Sequence, residues 1–211
     1  MSVLPLVALA AVLPAASAPA SADGYYTVRP DPRLCPSPQC GGYWVALANR
    51  ARTVCADGLR RPRCYVAAIL DARGRLGTRP APVGLARGRL QSKPFGGTGD
   101  LGVLVVSSTF AAAGQAAPSG TFARVVDNGI RCIRAPCFSL DRSTLNSVQH
   151  AAVSGVDLTP AALTPDEAAR ADAALATPGG LLAQGRTFPE TDGGRTFRAT
   201  RVFLRAPQPR A

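Results

Sequence analysis

The chain has 211 residues, and 46% of them are hydrophobic, a share that argues against an intrinsically disordered protein. The 24 basic and 13 acidic residues give a net charge of +11, and Lys93 is the only lysine. Arginine in place of lysine, with abundant alanine, glycine and proline, is typical of a high-GC gene, so the charge alone does not indicate a nucleic-acid-binding protein.

The N-terminal region predicts export. Residues 3–13 form an apolar run broken only by Pro5, which is too short to span a bilayer but suits the core of a signal peptide. The small-x-small sequence Ala20-Ser21-Ala22 follows and fits a cleavage site. We therefore predict a signal peptide over residues 1–22, a periplasmic or secreted mature protein, and no transmembrane segment.

Six cysteines follow the predicted cleavage site, and an even number in an oxidising compartment predicts disulfide bonds. Pairing each cysteine with its neighbour is the simplest of the many arrangements that six cysteines allow. The neighbouring pairs are Cys35 and Cys40, Cys55 and Cys64, and Cys132 and Cys137. Zinc is the weaker alternative, because the four-residue spacing is at the edge of the range for zinc ligands and His150 is the only histidine. We expect no metal ion and no cofactor.

An internal repeat relates the two halves of the chain, with an offset of 97 residues between the two short cysteine pairs (132 − 35 = 97). The same offset aligns further residues: Tyr25 with Phe122, Asn49 with Asn146, and residues 85–89 with 182–186. Two separate blocks that share one offset indicate a duplication. We predict a first module over residues 23–113, a second over 114–206, and a disordered tail over 207–211.

Both modules have the composition of β-strands. The predicted strands cover residues 25–29, 43–48, 65–70, 85–90 and 103–110 in the first module, and 121–126, 138–145, 151–156, 181–188 and 197–204 in the second. The expected fold is therefore mainly β (α+β at most), built from two duplicated antiparallel β modules with short disulfides.

One helix is predicted, over residues 165–176 of the second module. Thr164 is a suitable N-cap, Pro165 is favoured at the first helical position, and Glu167 completes a capping box with Thr164. The helix should end before Pro178, because proline and the glycines after it do not continue a helix.

Several short motifs resemble a known family. They are the segment from Tyr25 to Asp31, the run Cys40-Gly41-Gly42-Tyr43 after Cys35, the Cys55 and Cys64 segments, and Cys132 with Cys137. The chain resembles a family of exported bacterial proteins catalogued only as a domain of unknown function. The resemblance covers most of the predicted mature chain and implies export and the module layout, but no activity, substrate or catalytic residue.

The sequence predicts a non-enzymatic protein of the envelope or the extracellular space, acting as a binding or structural module. There is no Gly-x-Ser-x-Gly elbow and no His-Glu-x-x-His helix, and nothing places a nucleophile beside His150. We predict no catalytic residue. The partner is unknown at this level, with an envelope component or an extracellular protein as the candidate classes.

An arginine cluster gives a first alternative. Five arginines surround Cys55 and Cys64: Arg50, Arg52, Arg60, Arg61 and Arg63. A disulfide-closed loop with five guanidinium groups could bind lipid phosphate or nucleic acid. The competing interpretation is a solvated face that reflects coding bias, and the absence of aromatic residues within the cluster weakens the nucleic-acid hypothesis.

A disulfide-clamped loop gives a second alternative, a serine-protease inhibitor. Arg134 lies between Cys132 and Cys137, and a rigid loop that presents a basic side chain lowers the entropic cost of binding to a protease. The loop between Cys35 and Cys40 has no basic residue, so it should not substitute. The competing interpretation is that each bridge only fixes a turn.

Overall fold

A computed structural model describes residues 23–76 and 84–206 of the chain. The predicted signal peptide (1–22) and the predicted tail (207–211) lie outside the described residues. The described chain is mainly β with one α-helix, as the sequence predicted. Most of its strands pair antiparallel in one large sheet.

The described part of the first half contains eight strands, two of which form a small separate ribbon. They are β1 (Gly24–Pro30), β2 (Tyr43–Leu47), β3 (Thr53–Val54), β4 (Arg60–Arg61), β5 (Cys64–Val66), β6 (Ala68–Leu70), β7 (Gly84–Phe95) and β8 (Gly99–Ala113). Across the sheet the order is β5-β2-β1-β7-β8, and β6 pairs in parallel with β8. Strands β3 and β4 pair only with each other.

The second half repeats this order. Its strands are β9 (Thr121–Asp127), β10 (Leu140–Thr144), β11 (His150–Val153), β12 (Gly155–Asp157), β13 (Leu181–Pro189) and β14 (Arg195–Arg205). The order is β11-β10-β9-β13-β14, and β12 pairs in parallel with β14. An antiparallel pairing of β8 with β14 joins the halves into one sheet of 12 strands. The matching strand order is what a duplicated sequence should produce.

The helical part lies between β12 and β13. A short 3-10 helix (Thr159–Ala161) precedes α1 (Pro165–Leu175), which ends one residue before the predicted end. The capping box is present: the Thr164 hydroxyl accepts from the Glu167 amide (3.3 Å), and the Glu167 carboxylate accepts from the Thr164 amide (2.9 Å). Within the described residues, no helix is long and apolar enough to cross a membrane.

The long hairpins β7–β8 and β13–β14 carry a β-bulge at the same place. The register shifts at Gly88 in the first hairpin and at Gly185 in the second. A side chain at Gly88 would collide with the carbonyl oxygen of Val105, and one at Gly185 with that of Arg198. Glycine is therefore required at both bulges by close backbone approach rather than by an unusual φ.

The two halves share buried surface. Each has its own apolar core, and a third cluster lies at their junction. The buried residues of this junction core are Ala48, Leu85, Leu145, Leu182 and Phe203, with Tyr25, Phe110, Ala112 and Phe122 packed against them. Because both halves contribute to it, neither half buries all of its apolar surface alone.

Two asparagines tie the halves together reciprocally. Asn49 adopts a left-handed φ of 60° and Asn146 one of 56°. The Asn49 side chain accepts from the Phe122 amide (2.8 Å) and donates to its carbonyl (2.7 Å). The Asn146 side chain makes the same two bonds, each 2.8 Å, to Tyr25. Each half thus binds the opening strand of the other.

Candidate functional site

The cysteines form three disulfides between sequence neighbours, as the simplest arrangement predicted. The Cα–Cα separations are 5.3 Å for Cys35–Cys40, 5.4 Å for Cys55–Cys64 and 5.5 Å for Cys132–Cys137. These separations suit disulfide bonds. The cysteines of the described chain are therefore structural, which leaves none free for thiol chemistry.

The predicted arginine cluster is only partly assembled. Arg61 forms an ion pair with Asp57 (2.6 Å), and that hydrogen bond is the main cause of the lowered pKa of Asp57. Arg52 donates to the carbonyl oxygen of Arg60 (3.2 Å). Arg60 and Arg63 are exposed on the disulfide-closed ribbon. One of the charges is thus already neutralised by a carboxylate.

Arg50 has a different role from the other members of that cluster. Its Nε donates to the carbonyl oxygen of Asn146 (2.9 Å), and a second guanidinium nitrogen donates to the same atom. Arg50 therefore contacts the other half of the molecule instead of extending the charged ribbon. Anion binding by the arginine cluster stays a prediction.

The loop that carries Arg134 is exposed, and Ile133 beside it is fully exposed (101%). The backbone bends at residues 133–135. A peptide that pairs with the edge of a partner's sheet is instead extended. At the base of the loop, Arg131 binds Asp127 (2.7 Å), and this hydrogen bond lowers the pKa of Asp127 to about 2. The inhibitor hypothesis stays a prediction, and it gains no support from the shape of this loop.

A groove at the junction of the halves is a better candidate, and we call it the junction groove. It has a volume of about 660 Å³, within the usual range for small-molecule sites. Three aromatic rings and three guanidinium groups line it: Tyr25, Phe110, Phe203, Arg87, Arg170 and Arg205. Its other lining residues are small, aliphatic or uncharged polar.

The register of the paired strands determines which residues form the floor of the junction groove. Tyr25 on β1, Arg87 on β7 and Ser108 on β8 are direct cross-strand neighbours, so they form one row on one face of the sheet. The Arg87 guanidinium lies 5.8 Å from the centre of the Tyr25 ring. The Phe110 ring lies 6.5 Å from the Tyr25 ring, and Phe110 in turn is opposite Arg205 on β14. A guanidinium is thus held above an aromatic floor.

Helix α1 and the loop after it form the wall of the junction groove. Arg170 on the helix donates to the carbonyl oxygen of Arg205 (3.3 Å), which links the wall to β14. Arg124 donates to the carbonyl oxygens of Pro178 (2.6 Å) and Gly179 (2.9 Å) and so holds the loop in place. The wall is built from a helix that the described part of the first half lacks.

The charge of the junction groove is one-sided. None of the described residues that line it is acidic, while three are arginines. Glu167 on helix α1 interacts electrostatically with Arg170. Its carboxylate, however, accepts a hydrogen bond in the capping box. A groove with guanidinium groups, aromatic rings and no lining carboxylate attracts anions with an apolar part.

A second cleft, of about 630 Å³, lies beside the Cys132–Cys137 loop and has the opposite character. Asp157, Glu190 and Asp192 line it, but Arg198 lies 3.4 Å from Glu190 and 3.9 Å from Asp157. In the part of the chain that the structure describes, no group of histidine, cysteine or carboxylate side chains could hold a metal ion.

Sequence reasoning missed the junction groove because its residues come from four strands and a helix that are far apart in the chain. One signal was present. The aligned blocks 85–89 and 182–186 differ at their centre, where Arg87 corresponds to Gln184. This difference marks Arg87 as a position at which the two copies differ in charge.

Comparison with known proteins assigns the chain to a family. The chain belongs to the family described as Domain of unknown function (DUF6748), whose model matches residues 24–208. No curated protein and no solved structure matches the chain. The match covers both halves and every residue of the junction groove.

Proposed function

We propose that this protein is an exported, non-enzymatic binding module that holds an anionic, partly apolar ligand in the junction groove. The observation that carries the proposal is the set of three arginines around an aromatic floor, with no acidic residue among the lining residues described. The disulfides support a role outside the reducing cytoplasm. N-terminal sequencing of the protein recovered from periplasm or medium should find Asp23 first, and an uncleaved N-terminus would contradict export.

The geometry gives each part of the ligand a partner. A carboxylate, phosphate or sulfonate group would accept hydrogen bonds from Arg87 and Arg205, two of the arginines that line the groove. A flat or aliphatic part would lie on Tyr25 and Phe110, whose rings already pack as a tilted pair. Partial enclosure by helix α1 reduces solvent screening and strengthens the charge interaction.

A matched pair of fluorescent probes tests this proposal. The anionic probe 8-anilinonaphthalene-1-sulfonate and the neutral probe N-phenyl-1-naphthylamine have the same ring system and differ by the sulfonate. We expect the anionic probe to bind the purified protein with a defined stoichiometry near one, and the neutral probe to bind about tenfold more weakly. Equal binding of the two probes would contradict the anion preference.

Three variants test whether the anionic probe binds in the junction groove. Arg87→Gln should weaken the anionic probe about tenfold, because it removes the guanidinium above the Tyr25 ring. Arg89→Gln is the matched control, since it removes the same charge from an exposed position of the same strand outside the groove. Ala173→Trp, at an exposed helix position on the groove wall, should block binding. If Arg89→Gln weakens binding as much as Arg87→Gln, the probe is bound by net charge and the groove is not its site.

A further inference from the structure

The duplication supplies an internal comparison for the junction groove. Arg87 and Ser108 are opposite each other on β7 and β8, and Gln184 and Arg201 are opposite each other on β13 and β14. A β-bulge follows each pair at the corresponding position. Each half therefore has one arginine in this pair of positions, on the strand β7 in the first half and on β14 in the second.

In the second half, a polypeptide segment covers the row that contains Gln184 and Arg201. The residues that connect β8 to β9 pass over it, and the Arg201 guanidinium donates to the carbonyl oxygens of Gly114 (2.8 Å) and Ala116. The Gln184 side chain donates to the carbonyl oxygen of Gly120 (3.1 Å). The guanidinium thus holds the carbonyl oxygens of a segment composed mainly of small residues.

A hydroxyl group beside the row takes part as well. Thr200 at the second bulge accepts from the Ser119 amide (2.9 Å) and contacts its carbonyl oxygen (2.9 Å). It also donates to the carbonyl oxygen of Gln184 (3.2 Å). Ser107 at the first bulge makes the equivalent bond to the carbonyl oxygen of Arg87 (3.2 Å) and is exposed. The first half therefore has an arginine and a hydroxyl group near the positions where the second half binds the connecting segment.

In the first half, no described backbone carbonyl binds the guanidinium of Arg87, and the row faces the open junction groove. The row of the first half also has an additional arginine beside it, which the second half contributes. Arg205 is opposite Phe110, whereas the related position opposite Phe203 is Ala112. The charge indicates an occupant that brings an anionic group in addition to carbonyl oxygens.

We infer that the junction groove binds the C-terminal end of a polypeptide segment of small residues, with its carboxylate at Arg87 and Arg205. This inference rests on the proposed function, because it names the ligand class of the same groove. The carbonyl oxygens and small side chains of the ligand follow from the occupant of the second half, and the terminal carboxylate follows from the added arginines. Arginine clusters recognise anionic groups of peptides, and a terminal carboxylate can accept two parallel hydrogen bonds from one guanidinium.

A seven-residue peptide with the sequence of residues 114–120 tests the inference directly. It is prepared with a free carboxylate and with a C-terminal amide, and binding of each to the purified protein is measured by calorimetry. We expect the free acid to bind and to displace the anionic naphthalene probe, and the amide to bind about tenfold more weakly. Arg87→Gln should reduce binding of the free acid to the level of the amide, while Arg89→Gln should leave it unchanged.

The outcomes separate the two proposals. If the anionic probe binds in the groove and neither peptide does, the peptide inference is wrong and the proposed function stands. If acid and amide bind equally well, the terminal carboxylate is not recognised and the inference is overturned. If Arg87→Gln also leaves probe binding unchanged, the groove is not the ligand site and both proposals fail. Circular dichroism of each variant confirms that the fold is retained.

Discussion

At the scale of single residues, Asp31 is a buried carboxylate that two side chains bind. Its side chain is fully buried and accepts hydrogen bonds from Arg33 (3.0 Å) and from the indole of Trp44 (3.1 Å). The Arg33 guanidinium lies 5.1 Å from the ring centres of both Trp44 and Tyr65. The hydrogen bond from Arg33 is the main cause of the lowered pKa of Asp31. This cluster fixes the entrance to the first disulfide loop.

We expect Asp31→Asn to lower the midpoint of thermal unfolding at pH 7, because it removes the charge that Arg33 and Trp44 bind. A folded-state pKa below the ordinary value of about 4 means that the carboxylate stabilises the protein above that pH. This contribution is lost as the pH falls through the lowered pKa. The difference between wild type and variant should therefore shrink as the pH is reduced from about 5 to about 2.

Asp57→Asn is the matched control for that experiment. Asp57 also pairs with an arginine, Arg61, but its side chain is 48% exposed, so its loss should change the midpoint less. The measurement is thermal unfolding followed by circular dichroism over the pH series. An effect of Asp31→Asn that persists undiminished at pH 2 would show that it acts through packing and not through its charge.

The sequence predicted some of these residue-scale features. Disulfide pairing and the Thr164 cap depend on neighbours in the sequence, so spacing was sufficient to predict them. The environment of Asp31 was not predictable in this way. Its flanking prolines are residues typical of turns and give no sign of burial. The burial depends on Trp44 and Tyr65, which lie on the next two strands of that sheet edge.

At the scale of elements, the sequence predicted the strands better than their pairing. One continuous strand was expected over residues 65–70 and another over 151–156. In the structure each is broken, and the pieces pair with different strands of the sheet. At the break, the Ala67 amide donates to the carbonyl oxygen of Gly102 (2.8 Å). An apolar run of this length does not reveal which partner each part has, because both pieces are β-structure.

The bulge glycines give a prediction at this scale. We expect Gly185→Ala to lower the free energy of unfolding by about 2 kcal/mol, because the new methyl group would overlap the carbonyl oxygen of Arg198. Gly96→Ala is the control, since a methyl group there meets no atom within 4 Å and its φ is not in the left-handed region. Denaturant unfolding measures both variants. Equal stability of the two would contradict the requirement for glycine at the bulge.

At the scale of the whole molecule, the repeat predicted the layout but not the way in which the halves are joined. The offset of 97 aligned Asn49 with Asn146 and Tyr25 with Phe122. It gave no indication that each asparagine binds the opposite half, because an alignment of two copies does not say how they pack. The junction core and the junction groove are consequences of that packing, so they could not be predicted from the sequence either.

The reciprocal asparagines predict that the halves unfold together. Trp44 is the only tryptophan and lies in the first half, so its fluorescence reports that half, while far-ultraviolet circular dichroism reports both. We expect the two signals to change in one coincident transition, because the halves share the junction core and the asparagine bonds. Two separate transitions would contradict this coupling.

Asn146→Gly provides the stricter test of that coupling. Glycine adopts the left-handed φ of Asn146 without strain, so the variant removes the side-chain bonds to Tyr25 and Ala48 while keeping the backbone conformation accessible. We expect a loss of about 2 kcal/mol, and we expect the Trp44 signal to report it although the substitution is in the second half. The mirror variant Asn49→Gly should cause a similar loss through Phe122. If Asn146→Gly shifts the circular dichroism transition and leaves the Trp44 transition in place, the halves are independent folding units and the junction does not couple them.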